Sequence, residues 1–338
     1  MGSRVKLLLA CMEYNYGDPR RGRSYEYYNF YLSLKQMGID VRLFDFYAEM
    51  QKLGKDEMNA KLIATVRDWQ PDITMFSLYT DQILPETVES LKGRTKTLCF
   101  FHDDTWRVEF SRFWAPRFDF FTTADVYGRR RYEQLGLTHV IPFAFGVDPH
   151  LYVRRENTEK KFDVSFVGAW HPWRDWLIRR LRKGGISVKT AGHRWPDGIA
   201  SQDEMIDIFN MSRINLNISN SASWDARYLV ASPRGLLNRL RSPKSVEQLK
   251  ARHFEIGSCG AFQLSYYVEG LERHFKIGDE IGVYVDADDL LTKTRLYLED
   301  ESLRESIARA GHARVVASHT FESRFKTAFA AMGVILEN

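Results

Sequence analysis

The sequence predicts an α/β protein made of two consecutive Rossmann-like domains, each built on a doubly wound parallel sheet. Two observations lead to this prediction. The chain has 338 residues, which is more than a single hydrophobic core usually supports. Short apolar runs also alternate with stretches of helical periodicity, and this alternation begins again near the middle of the chain. Strands separated by helices of this length are joined by right-handed crossovers, which pair the strands in parallel.

The first domain is predicted over residues 1–150. Two of its helices show apolar side chains at helical spacing, one over 23–37 and one over 58–69. Its six strands are expected at 4–11, 41–46, 73–78, 96–101, 118–122 and 138–141.

A charged, polar linker over 151–161 precedes the second domain, which is predicted over 162–318. The last part of the chain, 319–338, contains a further amphipathic helix over 320–335. The strands of the second domain are expected at 162–167, 187–191, 214–218 and 261–264. Its helices are expected at 173–183, 203–210, 252–258, 287–298 and 302–318.

The composition indicates a protein with a large core. Hydrophobic residues make up 44% and aromatic residues 14% of the chain, and no stretch reaches the roughly 18 uninterrupted apolar residues that a membrane span needs. The first apolar run is short and starts almost at once, as in a first strand rather than a signal peptide. The three cysteines, Cys11, Cys99 and Cys259, lie far apart in apolar surroundings, which is typical of reduced thiols and predicts a cytoplasmic protein.

Basic residues concentrate in the second domain. Residues 227–252 contain seven of them against one acid, Glu247. This segment favours an anionic partner, which leaves a nucleoside diphosphate, a phosphorylated acceptor, an anionic membrane face and nucleic acid open. A solvated loop is equally compatible with residues 234–241. Nucleic acid is disfavoured because residues 220–245 hold one tryptophan and one tyrosine but no recognisable binding module.

The most informative stretch surrounds Glu255. This acid lies in the first turns of a short predicted helix that leads into an apolar strand, and Lys250 and Arg252 lie just upstream. Charges at such a helix start are typical of α/β proteins that hold phosphorylated ligands. Gly168 ends a strand, where the backbone can approach a diphosphate, and Arg174 would add a bidentate contact. The structural alternatives are a turn glycine, a surface arginine and a glutamate that only interacts with the helix dipole.

Seven segments contain sequence motifs that can be compared with known families. In chain order they are 146–148 (Gly-Val-Asp), 166–174, 191–192, 215–219, 250–264, 284–312 and 319–324. Together they resemble the GT-B glycosyltransferases of the group 1 type, and most closely the branch of CgeB-like spore-maturation proteins. The resemblance implies two domains that face each other across a cleft, with the C-terminal helix crossing back to the first domain. It also implies a nucleoside diphosphate sugar as the donor, with a UDP-sugar favoured, no obligatory cofactor or metal, and transfer of a hexosyl-type group with retention of anomeric configuration. The acceptor is left open as a saccharide, a glycolipid or a protein.

The resemblance also implies roles for individual residues. The polar triplet after the fourth strand would supply the catalytic His102 and Asp103, and Arg252 of the second domain would be the third catalytic residue. A helix cap formed by Asp104 is the structural alternative, and it is compatible with a functional His102. The loop after the first strand would face the acceptor through Tyr16, Gly17 and Arg23. The donor-binding residues would be Gly168, Trp170, Arg174, Gly192, His193, Ser219, Lys250, Arg252 and Glu255.

Two acidic motifs are set aside. Glu247 and Glu255 have the two-glutamate spacing of the group 1 enzymes, but residues 220–245 are inserted before them and no glycine pair accompanies them, so we interpret Glu247 as a coincidence. Asp286 and Asp288 form an Asp-X-Asp motif that begins a late helix, which predicts a helix cap. Two other functions stay open: a GT-B sugar-nucleotide epimerase, which would turn over the donor without an acceptor, and a non-catalytic nucleotide-sugar-binding protein.

Overall fold

The computed structural model describes residues 4–221, 223–231, 233–242, 244 and 247–336, and in one helix it leaves the side chains at 233, 234 and 238 undescribed. Residues 222, 232, 243 and 245 of the predicted basic insertion, and the side chain of Arg234, therefore lie outside the described residues. The chain forms two compact units. Met1–Asp148 and Phe321–Asn338 form the first unit, and Pro149–Thr320 forms the second.

The first unit is built on a six-stranded parallel sheet with the order β2-β1-β3-β4-β5-β6. The strand β1, second from one edge of the sheet, pairs with β2 through Leu8 and Arg42 and with β3 through Leu8 and Thr74. The chain reverses its direction of travel through the sheet between β1 and β3, and ligands of doubly wound sheets bind at such a switch point. The strands are β1 (Lys6–Cys11), β2 (Asp40–Asp45), β3 (Ile73–Ser77), β4 (Lys96–Phe100), β5 (Phe120–Thr123) and β6 (Val140–Pro142).

The helices of the first unit cover its sheet, and two of their features were not predicted. The predicted helix at 23–37 contains a π-helical segment at Tyr27–Tyr31 before it continues as a regular helix. A helix follows β2 directly, because Asp45 caps it by accepting hydrogen bonds from the amides of Tyr47 and Ala48. The helices are α1 (Leu32–Gln36), α2 (Phe46–Leu53), α3 (Lys55–Trp69), α4 (Pro85–Leu91), α5 (Val108–Trp114) and α6 (Gly128–Gln134).

The second unit is built on a five-stranded parallel sheet with the order β11-β10-β9-β7-β8. Its first strand, β7, pairs with both β8 and β9, so the switch point lies between β7 and β9. With this second sheet, the prediction of two Rossmann-like parallel sheets is confirmed. The strands are β7 (Phe162–Val167), β8 (Val188–Ala191), β9 (Ser212–Asn217), β10 (Gln263–Tyr266) and β11 (Gly282–Tyr284).

The second unit has seven α-helices among its described residues, and two of them lie in the basic insertion. The solvated-loop interpretation of 234–241 is therefore wrong, because these residues are helical and Gly235 packs closely against the Tyr228 ring. The predicted cap is confirmed, since the Asp286 carboxylate accepts from the amides of Asp288 and Asp289. The helices are α7 (Pro172–Lys183), α8 (Gln202–Met211), α9 (Ala226–Ala231), α10 (Pro233–Arg241), α11 (Arg252–Ser258), α12 (Ala287–Glu299) and α13 (Glu301–Ser318).

The last helix, α14 (Phe321–Ala331), belongs to the first unit. The amide of Phe321 donates to the Val147 carbonyl at 3.0 Å. The Phe30 ring contacts those of Phe321 and Phe325 at centroid distances of 5.2 and 5.8 Å, so the end of the chain completes an aromatic cluster that begins near its start. No helix of the described residues is long and apolar enough to cross a membrane.

Candidate functional site

A cavity of about 250 Å³ lies at the switch point of the first unit. The residues that line it follow β1, β3 and β4, because the carboxyl ends of parallel strands lie at the same edge of a sheet. Polar and aromatic side chains dominate the lining. It consists of Met12, Asn15, Tyr16, Ser24, Tyr25, Glu26, Ser77, Leu78, Tyr79, Phe101, His102, Asp103 and Arg107.

A buried carboxylate holds the imidazole in this cavity. Oε1 of Glu26 lies 2.7 Å from Nε2 of His102, and the hydroxyl of Ser77 donates to the same oxygen at 2.7 Å. Burial acts to raise the pKa of Glu26, but His102 and the hydrogen bonds from His102 and Ser77 outweigh it, and the pKa lies below its usual 4.5. Glu26 is therefore an ionised acid at neutral pH, although it is only 8% exposed.

Aromatic rings enclose the imidazole of His102. The centroids of Phe100, Tyr25 and Phe145 lie 4.9, 5.3 and 5.8 Å from that of the imidazole. Packing on these sides restricts the χ angles of His102, and the bond to Glu26 fixes which nitrogen points at the carboxylate.

The two aspartates after His102 have different environments. Asp103 lines the cavity and accepts a hydrogen bond from the Trp106 indole at 3.1 Å. Asp104 is fully buried, and its carboxyl accepts from the hydroxyl of Thr123 rather than from the amides of a helix start. The interpretation of Asp104 as a helix cap is therefore wrong. Burial raises the pKa of Asp104 to about 7, and the Thr123 hydroxyl only partly opposes that rise.

The three residues of the predicted acceptor loop have different positions in the structure. Tyr16 lines the cavity and its ring makes an edge contact with Tyr79 at 5.9 Å. Gly17 has φ +69°, and a Cβ there would lie 2.1 Å from the Tyr47 ring, so only glycine fits this turn. Arg23 is not among the cavity-lining residues. It pairs with Glu13 and lies over the Tyr14 and Tyr27 rings.

In the second unit, two predicted donor residues meet at the ends of β7 and β8. Gly192 has φ +134°, and a Cβ there would lie 2.2 Å from the carbonyl oxygen of Gly168. The Gly168 amide donates to the Ala191 carbonyl, and its carbonyl accepts from the Trp195 indole, both at 2.9 Å. The close approach of the two backbones explains Gly192 without a ligand, and a Cβ on Gly168 would lie 2.9 Å from the Phe166 ring.

Three further predicted residues lie near these glycines. The amide of Trp170 donates to the carbonyl of His193 at 2.9 Å, while the His193 side chain is exposed. Arg174, on the first turn of α7, donates from Nε to the Asn220 carbonyl at 3.1 Å and from Nη1 to the Ala169 carbonyl at 2.9 Å. Burial lowers the pKa of Arg174 to about 10, so it stays a cation at neutral pH.

Glu255 lies in a buried polar cluster behind the start of α11. Its side chain accepts a hydrogen bond from the Tyr152 hydroxyl at 2.9 Å and forms an ion pair with Arg252. The Arg252 guanidinium also lies 5.2 Å from the centroid of the Phe209 ring. The sequence predicted an accessible acid at a helix start. In the structure, Glu255 is only 4% exposed and has two strong partners.

Lys250 contributes its backbone to this segment. Its amide and carbonyl lie 3.1 and 2.9 Å from Nδ1 of His253, a fully buried imidazole whose Nε2 lies 3.0 Å from the Ser265 hydroxyl. Burial lowers the pKa of His253 to about 4, so this ring is neutral and structural.

A larger cavity, of about 680 Å³, lies in the second unit near the ends of β10 and β11. None of the nine predicted donor residues is among the described residues that line it, although Ser219 precedes Asn220 and Arg174 is bonded to the Asn220 carbonyl. The lining consists of Trp173, Asn220, Ser223, Trp224, Asp225, Ala226, Arg227, Arg239, Lys244, Glu247, Tyr266, Val285 and Asp286.

This larger cavity contains Glu247, which the sequence analysis set aside. Burial raises the pKa of Glu247, while the charges of Lys244, Lys250 and Arg174 oppose the rise. Nearby, the side-chain atoms Asn217 Nδ2, Ser219 Oγ and Asn220 Oδ1 are buried without a hydrogen-bond partner among the described residues. Within those residues, no three His, Cys, Asp or Glu side chains are grouped so that they could hold a metal ion.

Comparison with known proteins defines the class of fold. Both units together match solved glycosyltransferase structures, so the protein has the two-domain GT-B fold. A glycosyltransferase from Rickettsia africae matches with a TM-score of 0.64 at 10% identity, over 98% of this chain and 99% of that one. HepE from Anabaena, solved with UDP and glucose, matches with a TM-score of 0.60 at 12% identity, over 98% and 100%. TarM from S. aureus matches with a TM-score of 0.59 at 8% identity over 81% of this chain, which spans 58% of TarM.

The sequence itself also has a family match. Residues 174–330, somewhat less than half of the chain, match the family model described as glycosyl transferase-like. The matched segment begins at Arg174 and includes Ser219, Lys250, Arg252 and Glu255. No curated protein matches the sequence at a significant level.

Proposed function

We propose that this protein is a glycosyltransferase that moves a hexosyl-type group from a nucleoside diphosphate sugar to an acceptor. The match of residues 174–330 to the glycosyl transferase-like model carries the proposal, and the GT-B fold over almost the whole chain supports it. A UDP-sugar is the favoured donor, because HepE shares the fold and was solved with UDP and glucose. Membership of the CgeB-like branch, retention of configuration and independence of metal rest on the sequence resemblance alone.

The proposed donor site lies in the second unit. Departure of the nucleotide develops negative charge on its phosphate, and nearby cations stabilise that charge in the transition state. Arg174 is a candidate because it is cationic at neutral pH and its helix begins after Gly168. The unpartnered atoms of Ser219 and Asn220 support a polar ligand nearby, because buried polar groups normally have hydrogen-bond partners.

Glu255 and Arg252 have a double role in this proposal. A carboxylate has about four lone-pair sites, so Glu255 could still accept from ribose hydroxyls while it holds Tyr152 and Arg252. Arg252 would contact phosphate only with the donors that Glu255 does not occupy. Trp170, Gly192, His193 and Lys250 stay in the proposed donor set as neighbours of these groups.

The proposed acceptor site is the cavity of the first unit. His102, Asp103 and Tyr16 present hydrogen-bonding groups to it, which suits the hydroxyls of a saccharide or of a glycolipid or protein acceptor. Glu26 would keep the His102 ring in place.

A binding experiment tests the proposal. Nucleotide sugars are first screened by thermal shift, because a ligand that binds only the folded state raises the melting temperature. The selected donor is then measured by calorimetry with Arg174→Ala and with Arg182→Ala, an exposed arginine on the same helix. We expect Arg174→Ala to weaken binding by about 1.5–3 kcal/mol and Arg182→Ala to leave it unchanged.

The outcomes separate the alternatives. Equal affinity in both variants would remove Arg174 from the site, and the absence of any stabilising nucleotide sugar would contradict the donor class. Conversion of the donor without an acceptor would identify an epimerase. Binding without turnover of any donor and acceptor pair would indicate a non-catalytic binding protein.

A further inference from the structure

The two helices of the basic insertion expose large apolar side chains. Val230 on α9 is 87% exposed, and Leu240 on α10 is 66% exposed. Leu236 and Leu237 are also exposed, at 42% and 46%. Scattered apolar residues are normal on a protein surface, but four within eleven positions of two packed helices are a concentration that calls for a partner.

The exposed leucines form one stripe on α10. The opposite side of this helix faces inward, because a Cβ on Gly235 would lie 2.8 Å from the Tyr228 ring. Leu236 and Leu240 are four positions apart and Leu237 and Leu240 three, so all three lie on neighbouring turns of one face. Val230 likewise lies away from Tyr228, which is the buried residue of α9.

Positive charge accompanies this stripe. Residues 226–244 contain five basic residues and no acidic one, and of the five Arg227 is paired with Asp225 and Asp288. Arg241 is exposed and follows Leu237 by four positions, so it borders the leucine stripe. Arg239, at the inner side, lies over the Trp224 ring at 4.5 Å.

We propose that the insertion face, formed by Val230, Leu236, Leu237, Leu240 and Arg241, binds the surface of an anionic phospholipid bilayer. Helices that lie in the headgroup region combine leucines that enter the acyl boundary with arginines that stay among the phosphates. Anionic lipids attract clusters of basic residues close to the membrane surface. This inference does not depend on the proposed transferase activity.

A second copy of the chain fits the same face less well. A two-fold contact places the same patch of both copies together, so it would bring the cations of 226–244 close to one another. Arg227 is paired with Asp225 and Asp288, but the segment holds no acidic residue that could oppose its other cations across such a contact. Lipid phosphates supply those counter-charges at any orientation of the protein.

Co-sedimentation of the full chain with vesicles tests the proposal. One set of vesicles is phosphatidylcholine alone, and the other contains about one third phosphatidylglycerol. We expect binding to the anionic vesicles, little binding to the neutral ones, and weaker binding as salt is raised. The variant Leu237→Glu/Leu240→Glu should lower the affinity for anionic vesicles by about tenfold or more, and Arg241→Glu should also lower it.

The matched control is Leu53→Glu, an exposed leucine at the end of α2, which should bind vesicles as the unaltered protein does. Melting temperatures of all variants show whether they are folded. No binding of the unaltered protein, equal binding to both vesicle types, or equal binding by Leu237→Glu/Leu240→Glu would overturn the proposal. It would also be overturned if the protein sediments as a dimer that this variant dissociates. Nucleotide-sugar affinity, measured separately, tests the proposed function alone.

Discussion

Glu26 and His102 are 76 positions apart in the sequence, yet Oε1 of Glu26 lies 2.7 Å from Nε2 of His102. The strand β3 contributes Ser77 to the same carboxylate, and β4 ends just before His102. Three elements that meet at one switch point thus supply a buried acid, a hydroxyl and an imidazole. Such a group holds its imidazole firmly, because both hydrogen bonds are made to an ionised acceptor.

Glu26→Gln tests this arrangement through the pH dependence of stability. The pKa of Glu26 in the folded protein lies below 4.5, its usual value, so the ionised acid stabilises the fold above that pH. This contribution is lost as the pH falls through the folded pKa. We expect Glu26→Gln to lower the free energy of unfolding by about 1.5–3 kcal/mol at pH 7, with the difference shrinking as the pH falls below 4.5, the usual pKa of the acid. Urea unfolding at several pH values measures the loss of unfolding free energy at pH 7 and its decrease at low pH.

Glu49→Gln is the matched control for that experiment. Glu49 pairs with Lys61 on the surface of the same unit, and such pairs contribute about 0–1 kcal/mol. A loss in Glu26→Gln no larger than that in Glu49→Gln, at every pH, would contradict the stabilising role of the Glu26 carboxylate.

Asp104→Asn should raise the free energy of unfolding at neutral and higher pH, whereas Glu26→Gln should lower it. The pKa of Asp104 in the folded protein is about 7, and that of an unfolded aspartate is close to 3.8. Between these values the folded state binds a proton that the unfolded state has lost, so stability falls as the pH rises towards 7. Asparagine keeps an acceptor for the Thr123 hydroxyl and carries no charge. At pH 8 we expect Asp104→Asn to be more stable by on the order of 2 kcal/mol, and at pH 4 to resemble the unaltered protein. If Asp104→Asn is less stable than the unaltered protein at pH 8, the charge of Asp104 does not destabilise the fold.

Much of the fold could be predicted because periodicity is a local property. The strand β7 and the helix α11 lie at their predicted residues, 162–167 and 252–258. The helix α2 was missed because it begins directly after β2, and its cap, Asp45, is also the last residue of that strand. The two insertion helices were missed because glycine and prolines interrupt their pattern, although the basic character of the segment was visible in the sequence.

The candidate site could be predicted less well, because it depends on distant contacts. His102 was identified from its place at a strand end, whereas Glu26 lies in a helix among tyrosines and has no motif around it. Glu255 was named as a candidate from the sequence, but its partner Tyr152 is 103 positions away, and the burial of the pair cannot be read from spacing. Glu247 was set aside because of the insertion, and that insertion forms much of the cavity in which Glu247 lies.

A double-mutant cycle between Tyr152 and Glu255 separates architecture from ligand binding. The Tyr152 hydroxyl donates to Glu255 at 2.9 Å in a buried setting, so Glu255→Gln and Tyr152→Phe should each lower the free energy of unfolding by about 1–3 kcal/mol. The double variant should lose less than the sum, because the two residues share one bond. If Glu255 also holds the ribose, calorimetry should show weaker donor binding for Glu255→Gln than for Tyr152→Phe. Additive losses would mean that the bond does not couple the residues, and equal donor affinities would remove Glu255 from the donor site.

Gly192→Ala tests the close approach of backbones at the ends of β7 and β8. A methyl group at Gly192 would lie 2.2 Å from the carbonyl oxygen of Gly168, and a backbone carbonyl cannot rotate away as a side chain can. The backbone φ of +134° adds strain for any residue with a Cβ. Together these effects should lower the free energy of unfolding by about 3 kcal/mol.

Gly198→Ala is the matched control, because Gly198 lies in the same loop with φ +77° and has no heavy atom within 4 Å of the added Cβ. It should show only the backbone strain, about 1 kcal/mol. Urea unfolding of the two variants isolates the steric part of the Gly192 effect. Equal losses would mean that β7 and β8 separate easily at this end. In that case the contact between Gly168 and Gly192 would not hold the strand ends in place, and the proposed donor site would lack a rigid backbone to receive a diphosphate.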